Sequence, residues 1–186
     1  MTIELKKTYT ADEFMDLPDD GYRYELVEGE LMQMSQPGDE HGTIATFLTI
    51  EIGMFLRQNN PGKVYSATGF KIAERTVRAP DVAFVKASRV QPVTRKAVPV
   101  APDLAIEVVS PNDEKANIKD KLIEYQEAGV RLIWWIYPES KVVLVYHLAD
   151  GLMPQPLGIE NELDGKDVLP GFKLRVSDLF KQSELA

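Results

Sequence analysis

The chain has 186 residues, 44% of them hydrophobic and 27% charged, which predicts one compact domain over 1–186 that can bury a core without staples. It has no cysteine and only two histidines, His41 and His147, which excludes disulfides, thiolate metal sites and cysteine nucleophiles and points any bound metal toward a hard cation. A net charge of −8 lacks the basic footprint of a protein held on nucleic acid by phosphate contacts alone, although a divalent cation can offset acid within a cleft.

The N-terminus carries no apolar signal core, and no stretch approaches the roughly 18 apolar residues of a membrane span, so the expectation is a cytoplasmic protein without a membrane partner. Thr10 to Leu17 reads as a short helix: Thr10 and Glu13 have the capping-box spacing, and Pro18 closes the segment. Tyr22 to Met34 reads as two strands around Glu28-Gly29, a two-residue hairpin turn. His41 to Gln58 carries Ile44, Phe47, Leu48, Ile52, Phe55 and Leu56 close to helical spacing and predicts a long helix packed on a sheet.

Strands follow at Val64 to Ile72, Asp81 to Val85 and Leu104 to Val109. Between them lies a basic run of Arg75, Arg78, Lys86, Arg89, Arg95 and Lys96, better read as a solvated loop than as a phosphate track. Asn112 to Ala128 is helical, with Ile118, Leu122 and Tyr125 on one face and Gly129 as its stop. Arg131 to Tyr137 and Lys141 to Tyr146 are strands around a Pro-Glu-Ser turn. Strand, helix and strand in this order predict a parallel βαβ unit within an α/β (mixed α+β) fold. The tail from about Leu152 is rich in Gly, Pro and acid and ends in an amphipathic piece, Val176 to Phe180.

Two acids stand out against the apolar strands. Asp81 follows Pro80 at the front of one strand, and Glu107 lies inside the next, on the face of Ala105 and Val109 and opposite Leu104, Ile106 and Val108. A buried ionised carboxylate needs a cation, a metal or a retained proton, and two on neighbouring strands suggest a metal site. Glu107 lies near the C-terminal end of its strand, where ligands gather in open α/β sheets, and the turn Ser110 to Asp113 leads directly into a helix. Lys121, three residues after Ile118 and four before Tyr125, borders the apolar helix face and can lean toward Glu107.

Each of these residues also has a plain structural reading. Asp81 can simply open a strand, Glu107 can pair with Lys121 or Arg131, and Lys121 can snorkel. His41 can cap its helix, and Glu25 can face either the site or solvent. Trp134 and Trp135 point to opposite faces, which suits sheet packing, with a dimer contact as an alternative, better than base stacking.

The ordered pattern of Tyr24-Glu-Leu-Val-Glu-Gly-Glu-Leu31, His41, Arg78-Ala-Pro-Asp81, Ala101-Pro-Asp-Leu-Ala-Ile-Glu-Val-Val-Ser-Pro111, Lys121-Leu-Ile-Glu-Tyr125, Ala128-Gly-Val130 and Trp134 to Pro138 resembles the Uma2 family. The likeness covers most of the chain and falters in the tail. It implies a PD-(D/E)XK restriction endonuclease-like core, a mixed sheet flanked by helices. It also implies that Asp81, Glu107 and the backbone carbonyl of Val108 hold Mg²⁺ or Mn²⁺, with His41 a candidate site neighbour; Glu25 is a candidate neighbour from its place in the strand. The superfamily lysine would fall at Val109, so the resemblance assigns its role to Lys121. The implied substrate is DNA, and cutting both strands of a duplex is naturally served by a homodimer. The alternative is an inactive nuclease-fold module that binds nucleic acid or protein, which the acidic net charge favours.

Overall fold

The computed structural model describes residues 7–59, 61–110, 115–151 and 153–181. It opens with α1 (Ala11–Met15), capped as the sequence predicts: the Thr10 hydroxyl accepts the Glu13 N–H at 3.2 Å, and the Glu13 carboxylate accepts the Thr10 N–H at 2.8 Å. The antiparallel strands β1 (Tyr24–Val27) and β2 (Glu30–Gln33) follow, joined by Glu28 and Gly29 at φ 49° and 89°. Two successive positive φ values make the turn that best matches strand twist. Helix α2 (Asp39–Asn59) begins two residues before His41 and buries Ile44, Leu48, Ile52 and Leu56, one every turn.

The apolar stretch from Val64 to Ile72 is not one strand. It divides into β3 (Gly62–Ser66) and β4 (Phe70–Ala73), which belong to different sheets. The small polar residues between them turn the chain, with Thr68 Oγ1 donating to the Ser66 carbonyl at 2.9 Å and Ala67 at φ 44°. A three-residue strand the sequence does not announce, β5 (Thr76–Arg78), comes next, then β6 (Val82–Lys86) and β7 (Leu104–Val108). Helix α3 is described over Lys115–Glu127; Pro111 to Asp113, which hold most of the expected turn and the expected start at Asn112, lie outside the described residues. Then come β8 (Leu132–Tyr137), β9 (Val142–His147), β10 (Gln155–Leu157), β11 (Glu162–Asp164), β12 (Lys173–Arg175) and α4 (Val176–Lys181).

These strands build a six-stranded mixed sheet in the order β10-β9-β8-β7-β6-β3, a four-stranded antiparallel sheet β2-β1-β5-β4, and the β11-β12 ribbon. Among the paired strands described, β7 and β8 run parallel and the others antiparallel, with Glu107 beside Trp135, and α3 crosses between β7 and β8 as the βαβ pattern predicts. One face of the large sheet, with Leu104, Ile106, Val108 and Trp134, packs on α2 and α4; the other, with Ala105, Ile133 and Trp135, packs on α3. The two tryptophans therefore serve opposite cores. The tail does more than its composition suggests, since Leu163, Leu169, Phe172, Leu174 and Leu179 all enter the first core. Each such side chain contributes roughly 1.5–3 kcal/mol by leaving water.

The basic run is also not a uniformly solvated loop. Arg78 is 2% exposed, Arg89 bonds the buried Asp103 at 2.8 Å, and Lys96 pairs with Asp16. No helix among the described residues is long and apolar enough to cross a membrane.

Candidate active site

The two sheets meet at Arg78-Ala79-Pro80-Asp81. β5 ends at Arg78 in the small sheet and β6 starts at Val82 in the large one, so these four residues form the crossing. Pro80 has no N–H to offer a ladder, which suits a residue that interrupts pairing. Because β6 and β7 are antiparallel, with Val82 opposite Ile106, the start of β6 and the end of β7 lie side by side and bring Asp81 to Glu107. Both acids line a cleft of about 340 Å³ together with Glu25, His41, Val108 and Lys121.

Asp81 is held by its Oδ2, which accepts the Val108 N–H at 2.8 Å and lies 2.8 Å from His41 Nε2. His41 thus joins the site from the first turn of α2. An extended residue presents its N–H and C=O at the same edge, so the Val108 carbonyl also faces the open start of β6. Val109 is partly buried and packs against the core beneath α3.

Glu107 is 6% exposed, and its Oε1 takes both contacts: the Tyr125 hydroxyl donates at 2.5 Å, and Lys121 Nζ lies at 2.9 Å. Burial pushes its carboxyl up to about 7; Lys121 pulls the other way, but Asp81 and Glu25 add to the rise. Burial alone would lower the Lys121 ammonium, yet Glu107 and Glu25 outweigh it and raise it. Tyr125 is held neutral, its hydroxyl pushed well up by burial and then by Glu107.

Glu25 reaches the site from β1. Its Oε1 accepts the Ala79 N–H at 2.8 Å and lies 3.2 Å from Lys121 Nζ, and its Oε2 accepts from Arg78 Nη1 at 2.9 Å. Burial favours its neutral form, but Lys121 and Arg78 overcome that and hold the carboxyl below its ordinary value. Arg78 also grips Glu124 through two bonds, Nε to Oε2 at 2.5 Å and Nη2 to Oε1 at 2.8 Å.

Arg78, Glu124 and Tyr125 are site residues that sequence reasoning missed. In the sequence Arg78 belongs to the basic run, although it stands immediately before the Ala-Pro-Asp crossing. Glu124 and Tyr125 lie three and four residues after Lys121, hence on its side of the helix, and a buried tyrosine hydroxyl needs a partner. Arg131, an alternative partner for Glu107, bonds Asp167 instead, and His147 faces Asp150 and Asp167 outside this cleft.

The donor set fits a hard cation. Both contacts of Asp81 fall on Oδ2 and both contacts of Glu107 on Oε1, so Asp81 Oδ1 and Glu107 Oε2 are not used by these bonds. Glu25 has both oxygens engaged. No group of three His, Asp or Glu forms a ready-made metal cage among the described residues, and Mg²⁺ commonly needs only one or two carboxylates because it keeps several waters.

Comparison with known proteins agrees with this architecture. The Uma2 family, described as "Putative restriction endonuclease", matches residues 11–177. Among solved structures, "a putative nuclease belonging to DUF820" from Anabaena variabilis ATCC 29413 superposes with a TM-score of 0.81 at 20% identity, covering 94% of this chain and 98% of that one. At that identity the likeness concerns the fold. No curated protein matches. The family match runs from the first residue of α1 into α4 and spans every cleft residue named above, and on that basis the chain belongs to the Uma2 family.

Proposed function

We propose that the chain is a Mg²⁺- or Mn²⁺-dependent endonuclease that hydrolyses DNA phosphodiester bonds. The observation that carries this reading is the convergence of Asp81, Glu107 and Lys121 in one cleft, with one oxygen of each acid outside the bonds made among the described residues. Asp81, Glu107 and the Val108 carbonyl would hold the cation. When bound, it would polarise the phosphate and promote ionisation of the attacking water. Hydrolysis forms one P–O bond to the water oxygen and breaks one to a sugar oxygen, while the water loses a proton and the leaving oxygen gains one.

Lys121 supplies a fixed ammonium close to the reacting phosphate, where it orients the water and offsets developing negative charge. Glu25 and Tyr125 hold that ammonium and Glu107 in place. Cutting both strands of a duplex would use two copies about a two-fold axis, which sedimentation of the cleavage-competent protein tests.

The experiment is cleavage of plasmid DNA with Mg²⁺ or Mn²⁺ by the wild type beside Asp81→Ala and Glu107→Ala. We expect nicking or linearisation by the wild type and a loss of at least about a thousandfold in either variant, as befits removal of a metal ligand. Cleavage that persists in both variants would remove this site. The net charge of −8 favours a second reading, a binding module without hydrolysis, and a wild type inert with every metal tried would select it.

A further inference from the structure

We infer that Arg78 and Glu124 are positioning residues: together they clamp α3 so that the Lys121 ammonium is aimed at the cleft. The inference rests on the nuclease reading for its kinetic consequence but on geometry for its content. A lysine carried on the same strand as the acid would be aimed by the sheet itself. On a helix it is aimed only as well as the helix is fixed, because one residue of slippage turns a side chain by about 100° and shifts it by about 1.5 Å.

The apolar seam of α3 fixes it poorly. Ile118 and Leu122 are only partly buried, and among the described side chains of this helix Tyr125 alone is fully enclosed. The polar contacts fix it better. Glu124 meets the Arg78 guanidinium through two bonds whose planar fork admits little rotation, and the Tyr125 hydroxyl is tied to Glu107.

Arg78 sits where one side chain reaches both β1 and α3. It closes β5, its backbone leads into the Ala-Pro-Asp crossing, and its Nη1 holds Glu25, which in turn touches Lys121. It therefore links β1, the crossing and α3, the elements that supply Glu25, Asp81 and Lys121. A buried ion network seldom gains stability over apolar packing of the same volume, which makes geometric specificity the better reason for finding one here.

The charges agree. Arg78 and Lys121 balance Glu25 and Glu124, which leaves Asp81 and Glu107 to match a divalent cation.

The test is Glu124→Gln, which keeps shape but replaces the charged fork with a weaker pair, measured under single-turnover conditions in the wild-type and Lys121→Ala backgrounds. In the wild-type background we expect cleavage to slow at least about tenfold, with the KM for DNA and half-saturation by Mg²⁺ changed less than about twofold. In the Lys121→Ala background it should cost nothing further, because the clamp acts through the lysine. An equal loss in both backgrounds, or no loss in the first, overturns the inference.

If the wild type cuts nothing, the nuclease reading fails separately and the clamp is read by ¹⁵N NMR of lysine ammonium groups. A slowly exchanging signal that Lys121→Ala removes should broaden or vanish in Glu124→Gln, and its survival unchanged refutes the clamp. If Glu124→Gln does not fold, Glu124→Asp, which keeps the charge but shortens the reach, carries the same two readouts.

Discussion

Lys121→Met removes an ammonium from between two buried carboxylates and keeps the stem that lies along the α3 seam. Glu25 retains Arg78 and the Ala79 N–H, so it stays ionised. Among the described residues Glu107 retains the Tyr125 hydroxyl alone, and its carboxyl, already pushed up to about 7 by burial, must rise further. An acid whose folded value lies above its unfolded value weakens the fold as pH rises from the unfolded value to the folded one. For the wild type that window closes near 7; for the variant it extends beyond it. Below about pH 6.5 Glu107 is mostly protonated in both proteins, so the difference in stability is flat and reflects only lost contact with Glu25. Above about pH 7 the deficit grows by about 1.4 kcal/mol per pH unit for as long as the variant keeps its proton. Urea unfolding at about pH 5.5, 7 and 8 measures it. A deficit that is the same at all three would mean that Glu107 does not ionise against Lys121, and the electrostatic account of the site would fall.

The same carboxyl governs metal uptake. Because Glu107 must be ionised to serve as a ligand and is pushed up to about 7, Mg²⁺ binding should release a proton below that pH, with affinity rising up to about tenfold per pH unit and then levelling. Calorimetry in buffers of different ionisation enthalpy checks this, and uptake without proton release contradicts it. Tyr125→Phe removes a hydroxyl that stabilises the Glu107 anion, so it should move that levelling point upward and cost about 1 kcal/mol of stability at neutral pH or above. An unchanged metal-binding pH profile would show that the hydroxyl does not act on Glu107.

What could be read from the sequence was local. The Thr10 cap, the Glu28-Gly29 turn, the alternation that sets Glu107 opposite Ile106 and the placement of Lys121 on the α3 seam depend on spacings of two to four residues. What could not be read depends on which sheet a short segment joins. β5 has only three residues, too few for a period to show, yet its membership of the small sheet is what buries Arg78. The partners of that arginine lie 53 and 46 residues away, at Glu25 and Glu124. The stretch from Val64 to Ile72 failed for a related reason. Apolar residues flank the small ones at Ser66 to Gly69, and the Ala67 N–H bonding to the Asp81 carbonyl at 3.0 Å ties the bend there to the crossing. In the tail, β10, β11 and β12 are again three residues each, and the core that their neighbours enter is built mostly by α2 and the large sheet.

The crossing itself explains how two acids and a lysine from different elements come to share one cleft. Within four residues the chain supplies a guanidinium to α3 from Arg78, an N–H to Glu25 from Ala79, a break in pairing from Pro80 and a carboxylate to the cleft from Asp81. Once the small sheet supports the site from beneath, an ammonium can arrive from the helix that packs over it, and the strand position at Val109 is free to fill core space. The arrangement depends on the length of this link. A residue inserted between Arg78 and Asp81 would have to be absorbed in the Ala79-Pro80 link, which would move the Ala79 N–H away from Glu25 while each strand keeps its own register.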